Sequence, residues 1–143
     1  MGFLIDTCIW VDVERGVLGP ADIATVTGNE PVYFSPVTIA ELKFGAENAA
    51  DAGIRQKRLA ALARLKRKPL LTIDETTGEI FGDLAVRLKK KGPGHQYRVQ
   101  DLWLASQAIQ HGFGFLTHNR KDFADIPGLR LIVWADAAHH KKQ

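Results

Sequence analysis

The stretch Phe3-Leu4-Ile5-Asp6-Thr7 sets the reading of the chain. Three large apolar residues run straight into an aspartate. A short unbroken apolar run fits a strand buried on both faces, the usual state of a central parallel strand. Asp6 then stands at the carboxyl end of that strand, the rim where open α/β sheets bind ligands. Asp6 or Thr7 can equally serve as the N-cap of the next helix, since either side chain can accept from a free backbone N–H. What else reaches that rim decides between the two.

Working outward, residues 8–15 have helical character and stop near Gly16. Residues 21–27, after the Gly19-Pro20 break, form a second short helix. Val32-Tyr33-Phe34 is a β-prone strand. Ser35-Pro36 gives an N-cap followed by proline at the first helical position, starting a helix that runs to about Asn48. Residues 51–67 place Ile54, Leu59, Leu62 and Leu65 at roughly helical spacing, and Pro69 ends that helix. Leu70-Leu71-Thr72-Ile73 reads as a further strand. Asp74 caps a helix through Lys90, with Ile80, Leu84 and Leu88 on one face. Gly92-Pro93-Gly94 breaks it, and a polar loop follows. A helix from about Asp101 to Gln110 is closed by Gly112. A strand within 113–117, a turn at 119–123 and a last strand at 131–134 complete the order. Strands alternating with helices predict an α/β fold of three layers. About five mostly parallel strands form its sheet, with helices on both faces. Residues 1–135 are read as one domain and 136–143 as a polar tail, where His139 and His140 are too weak a pair to count as a metal site.

The 143 residues suit a single core. The 45% hydrophobic and 24% charged shares are those of an ordinary soluble domain. No apolar run approaches the roughly 18 residues of a membrane span. The N-terminal residues lack a signal-peptide pattern, and the lone Cys8 cannot form an internal disulfide. The expectation is a cytoplasmic protein without membrane contact. Net charge is +3, but 12 of the 19 Lys and Arg residues fall within 55–68 and 87–98, windows that contain no acid. Clustered positive charge suits a polyanion partner, and it equally suits two solvated helix faces.

Carboxylates recur at the predicted rim. Asp6 ends the first strand. Glu41 lies about six residues into the helix begun at Ser35, roughly 9 Å along its axis. Its helical neighbours are Val37 and Phe44, so it is expected to be partly embedded in an apolar face and to need a partner. Asp101 begins a helix of small and apolar residues. Asn119 and Asp122 follow the strand at 113–117. Each has a dull alternative, as a cap, a dipole partner or an exposed helix acid. Several carboxylates at close range repel, and either protons or a cation must neutralise them. Oxygen-only ligation suits Mg²⁺ or Mn²⁺ rather than zinc. Such an ion can activate water and orient a phosphate.

The ordered set FLIDTCIW, SPVTIAELKFGA, VQDLWLASQAIQHG and FLTHNRKDFADIPGLRLIVW resembles the PIN-domain family, and within it the VapC-type toxins of bacterial toxin–antitoxin pairs. The resemblance covers nearly the whole chain. It implies a Mg²⁺- or Mn²⁺-dependent endoribonuclease acting on tRNA or rRNA, a homodimer, and restraint by a cognate VapB-like antitoxin. The family's acidic positions fall on Asp6, Glu41 and Asp101, and its last position falls within THNRKDF. Asn119 stands where many relatives carry aspartate, which leaves Asp122 as the expected fourth carboxylate and Asn119 in a positioning role. Thr117, and more weakly Thr7, are expected to orient neighbours. The rival readings are a non-catalytic nucleic-acid-binding module, to which Asn119 leaves the door open, and a metal phosphatase or structure-specific DNA nuclease on the same scaffold. Exposed apolar surface for a partner is expected on helices 36–48 and 51–67.

Overall fold

A computed structural model describes residues 1–92 and 97–137. In chain order they form β1 (Phe3–Ile5), α1 (Thr7–Glu14), α2 (Pro20–Thr27), β2 (Val32–Tyr33), α3 (Pro36–Glu47) and α4 (Ala52–Leu65). These are followed by α5 (Glu75–Lys89), α6 (Val99–His111), β3 (Gly114–Thr117), α7 (Arg120–Phe123) and β4 (Arg130–Val133). The sheet is parallel throughout, in the order β2-β1-β3-β4.

The apolar run at the start of the chain makes β1 central because it has a strand on each side and helices on each face. Successive residues of a strand point to opposite faces. Leu4 and Phe115 therefore enter one core with Leu84 and Leu88 of α5, Leu102 and Ala105 of α6, and Phe123. Ile5 and Leu116 enter the other, with Ile9 and Trp10 of α1, Ile23 of α2, Phe34 and Leu65. The expected three layers are present.

Two glycines set the β3 geometry. Gly112 ends α6 in the left-handed region at φ 66°, and it turns the chain into the strand. At Gly114, a Cβ would come within 2.7 Å of Ile132 Cδ1 and 2.9 Å of Phe3 Cδ1, so any larger residue would have to push those side chains aside where β1, β3 and β4 meet.

The sheet has four strands rather than about five. The segment 70–73 makes a single bridge, Leu70 to Phe34. Leu71 is buried, but Leu70 and Ile73 lie open to solvent. Beyond the Leu71 N–H bond to the Phe34 carbonyl, at 2.9 Å, the segment turns to a side chain. Gln107 Nε2 donates to the carbonyls of Leu71 at 2.7 Å and Thr72 at 3.3 Å. The backbone acceptors that a ladder would use are taken by α6, so β propensity here produces an extended strap.

Smaller differences matter for the site. Helix α6 begins at Val99, two residues before the expected start, with Asp101 in its first turn. Phe44 and Ile54 are exposed, at 71% and 47%, so Phe44 does not shelter Glu41 and Ile54 is no part of the α4 core stripe. Residues 134–137 are helical, and the rest of the expected tail, including His139 and His140, lies outside the described residues, as does most of the Gly92-Pro93-Gly94 break.

Candidate active site

The carboxyl ends of β1 and β3 are neighbours, although the chain after β1 first crosses to β2 on the other side. That reversal makes the crevice between β1 and β3 a topological switch point, where α/β sheets place ligands. Asp6 sits at its base, 5% exposed. Its N–H continues the β1 ladder to the Leu116 carbonyl at 2.9 Å. Its Oδ1 accepts from the Thr7 N–H at 2.8 Å, and its Oδ2 accepts from the Thr117 hydroxyl at 2.7 Å. Asp6 is thus the N-cap of α1 and a rim carboxylate at once. The cap and the rim position are compatible, since one oxygen caps α1 and the other is held by Thr117.

Glu41 reaches the rim from α3. The Thr7 hydroxyl donates to Glu41 Oε1 at 3.0 Å and lies 2.8 Å from the hydroxyl of Thr38. With one proton each, Thr38 donates to Thr7 and Thr7 to Glu41, a chain with a single consistent direction. Burial raises the Glu41 pKa. Its bond from Thr7 opposes the rise, Asp6 adds to it, and Arg98 opposes it.

Asp101 is 7% exposed. Its buried Oδ2 has no hydrogen-bond partner among the described residues. Its carboxyl is raised to about 6 in all: burial is the largest cause, Arg98 opposes it, and the charges of Asp6, Asp122 and Glu41 add to it. Asp6, Glu41, Asp101 and Asp122 therefore share one electrostatic neighbourhood. They come from the β1 rim, α3, α6 and α7. A loop guanidinium, Arg98, lies between two of them, 3.8 Å from Glu41 Oε2 and 3.8 Å from Asp101 Oδ2.

The sequence model of the PIN domain matches residues 3–129. The chain belongs to the PIN-domain family. Among curated relatives, it is 32% identical over 140 residues to Ribonuclease VapC1 of Rickettsia felis, spanning 93% of this chain and 96% of that one. It is 29% identical over 134 residues to Ribonuclease VapC5 of Mycobacterium tuberculosis, spanning 90% of each. Among solved structures, a chain of the Rickettsia felis VapBC2 complex bound to a promoter DNA fragment superposes with a TM-score of 0.77 at 25% identity. That match spans 94% of this chain and 99% of that one.

On this PIN fold, Asn119 and Asp122 part company. The Asn119 backbone N–H donates to the Thr117 hydroxyl at 3.0 Å, and its Nδ2 points to Cys8 Sγ at 4.0 Å. It touches the surroundings of Asp6 rather than Asp101. Asp122, one helical turn on, raises the pKa of Asp101. Cys8 itself is no nucleophile, because burial and the charge of Asp6 push its thiol up to about 11.

The donor set fits a hard divalent cation in chemistry and charge. The donors are all oxygen, two of the carboxyls are raised by burial and by their neighbours, and the Asp101 Oδ2 is an orphan. Among the described residues, no three Asp, Glu, His or Cys side chains are grouped as a ready-made cage.

From Thr7 and Glu41 a groove of about 1130 Å³ runs between α1, α3 and α4, with Trp10 and Leu42 on its apolar side and Lys57, Arg58, Arg67 and Lys68 on its basic side. The clustered charge of 55–68 is therefore next to the acidic pocket.

Sequence reasoning missed Thr38, Arg98 and Gln107. Arg98 was visible only as one member of a basic window, and its link to Asp101 is a simple i to i+3 spacing. Thr38 stands three residues before Glu41 in the same way. Gln107 gave no signal, because its partners are backbone carbonyls distant in the chain.

Proposed function

We propose that the chain is a VapC-type endoribonuclease that hydrolyses RNA phosphodiester bonds and is restrained by a VapB-like antitoxin. The observation that carries this reading is the convergence of Asp6, Glu41, Asp101 and Asp122 on the β1/β3 switch point of a PIN fold, where burial first, and neighbouring acids second, raise the carboxyls of Glu41 and Asp101. The relatives it resembles are named as VapC ribonucleases, and the structure it superposes on is a VapBC complex.

In this reading the four carboxylates hold Mg²⁺ or Mn²⁺, which when bound supplies the charge that lets a water act as nucleophile near neutral pH and that offsets charge on the phosphate. The protein's own part is positioning. Thr117 and the α1 amide fix both oxygens of Asp6, while Thr7 and Thr38 fix Glu41. Asn119 braces the rim beside Asp6. The basic wall of the groove offsets repulsion between these acids and an RNA backbone, with tRNA and rRNA as the candidate substrates. Exposed Phe44 and Ile54 offer apolar surface for the antitoxin or for a second copy in a homodimer. Among the described residues no helix is long and apolar enough to cross a membrane. A cytoplasmic nuclease domain over residues 1–135 is the matching assignment.

The test is cleavage of purified tRNA and rRNA by the purified chain. Exhaustive EDTA should stop it, Mg²⁺ or Mn²⁺ should restore it, and Asp6→Asn should abolish it with the fold intact. Co-expression with the gene product encoded next to it should relieve growth arrest. Cleavage that persists under full chelation, or an undiminished Asp6→Asn variant, overturns the assignment.

A further inference from the structure

Arg98 is the N-cap residue of α6, and its side chain makes no capping bond there. The positive end of a helix dipole is a poor place for a guanidinium. What holds it is the pair of carboxylates on either side. Nη2 lies 3.8 Å from Glu41 Oε2, and Nε lies 3.8 Å from Asp101 Oδ2, while the side chain remains 54% exposed. Both separations exceed hydrogen-bond length. A structural arginine in a buried network is paired bidentately and desolvated. This one is half in water and bonded to neither acid. It nevertheless lowers the pKa of both, so its charge is felt where its hydrogen bonds are not.

One further feature fits a removable occupant. The Asp101 Oδ2 is buried without a hydrogen-bond partner among the described residues, so Arg98 leaves that oxygen unsatisfied. We propose that Arg98 is a built-in, exchangeable counter-cation: it stands between Glu41 and Asp101 in the metal-free protein and is displaced when a divalent ion takes those carboxylates. The proposal rests on reading the acidic pocket as a divalent-cation site. It offsets part of the pocket's negative charge at rest, and it sets the metal affinity below what four bare carboxylates would give.

The sign follows from Coulomb's law. A dication and a guanidinium roughly 6 Å apart repel enough, even at the dielectric constant of water, to weaken binding about tenfold. Removing the guanidinium while keeping the acids should therefore tighten metal binding. The opposite holds if Arg98 organises the site.

The experiment is a Mn²⁺ titration of the full chain without RNA, followed by the loss of the free-ion EPR signal at fixed pH and salt. Arg98→Gln should bind Mn²⁺ about tenfold more tightly than the wild type, and Arg98→Lys should stay close to the wild type. Arg130→Gln, which removes one positive charge at β4, should leave the affinity unchanged. Unchanged or weaker binding by Arg98→Gln overturns the proposal, as does an equal gain in Arg130→Gln, which would make the effect one of net charge. A second measurement needs no variant. The Arg98 Nε–H resonance of the wild type should shift with added Mg²⁺ along the binding curve, and a signal that does not move overturns the proposal. A wild type that binds no Mn²⁺ overturns the cation-site reading itself, whereas normal wild-type binding with an inert Arg98 overturns only the role given to Arg98.

Discussion

The Thr117 hydroxyl donates to Asp6 Oδ2 at 2.7 Å, joining residues 111 positions apart in the chain at the ends of two adjacent strands. The same oxygen of Thr117 accepts from the Asn119 N–H at 3.0 Å. One hydroxyl thus sets the rotamer of Asp6 and the path of the loop that carries Asn119 toward α7. Hydrogen bonds to a charged acceptor contribute about 1.5–3 kcal/mol. Thr117 is fully buried. Thr117→Val should lower stability by about that amount in urea unfolding, and it should weaken Mn²⁺ binding. Thr117→Ser should recover both. Equal losses in the Ser and Val variants would show that methyl packing, and not the hydroxyl, is what matters.

Asp101 predicts a pH dependence of unusual sign. Its carboxyl is raised from 3.8 to about 6, with burial as the largest cause. The folded chain therefore binds this proton more tightly than the unfolded one. Above both values the fold carries the cost of the buried charge, and that cost is relieved as pH falls through about 6 toward 4. A shift of this size corresponds to about 3 kcal/mol before relaxation and water penetration reduce it. Glu41 is shifted in the same direction. Asp74 is shifted down from 3.8 by its bonds to Thr77 and Gln110, so its opposite contribution is lost only below the window in question. In EDTA, scanning calorimetry should give a higher Tm at pH 5.5 than at pH 7.5. Asp101→Asn should be more stable than the wild type at pH 7.5 and flatten the profile. A wild-type Tm that falls on acidification from pH 7.5 to 5.5 would contradict this account.

The alternation of strands and helices, the two-faced burial of β1 and the carboxylate at its end were legible because they depend on local pattern. An apolar run, a Ser-Pro start and a Gly stop act over a few residues. The strap at 70–73 reads as a strand in the sequence because its fate depends on Gln107, and no local pattern shows that a side chain will take the carbonyls of Leu71 and Thr72. The acids could be named from motif and position, but their partners could not. Thr38 and Arg98 look like ordinary helix and loop residues until α1, α3 and α6 are packed together. Phe44 looked like cover for Glu41 at helical spacing, yet it faces solvent, since the spacing gives a face and not what lies opposite it.

The basic groove refines which charges should matter for RNA. Within the basic window 55–68, Arg64 lines the groove but is engaged with Glu14 at 2.7 Å, and Lys66 is the C-cap of α4, outside the groove lining. Lys57 and Arg67 line the groove. Charge reversal at these two positions should weaken RNA binding and reduce the slope of log affinity against log salt by roughly one for each phosphate no longer neutralised. Reversal at Lys66 should change neither. Filter binding across a salt series, with Ca²⁺ in place of the active ion, separates binding from cleavage. A Lys66 variant as impaired as Lys57 and Arg67 would mean that the whole α4 surface acts as a diffuse field, and the groove would lose its claim to be the path.

Gln107 is the residue on which the α6 side of the site depends most. It is fully buried. Its Oε1 accepts from the Ser35 hydroxyl, which in turn accepts from the Val37 N–H at 3.0 Å to cap α3. Its Nε2 holds the strap through Leu71 and Thr72. One amide therefore sets the start of the helix that carries Glu41 relative to the helix that carries Asp101. Gln107→Leu keeps the volume but strands the Ser35 hydroxyl and the Leu71 carbonyl, each a buried group whose desolvation costs about 1–3 kcal/mol. The expected loss is at the upper end of ordinary single substitutions, about 2–4 kcal/mol by urea unfolding. Hydrogen exchange should quicken first at the Leu71 amide, whose bond to Phe34 ties the strap to the sheet edge. If Gln107→Leu were neutral, buried water would have to satisfy both groups, and α3 and α6 would be held in register by apolar packing alone.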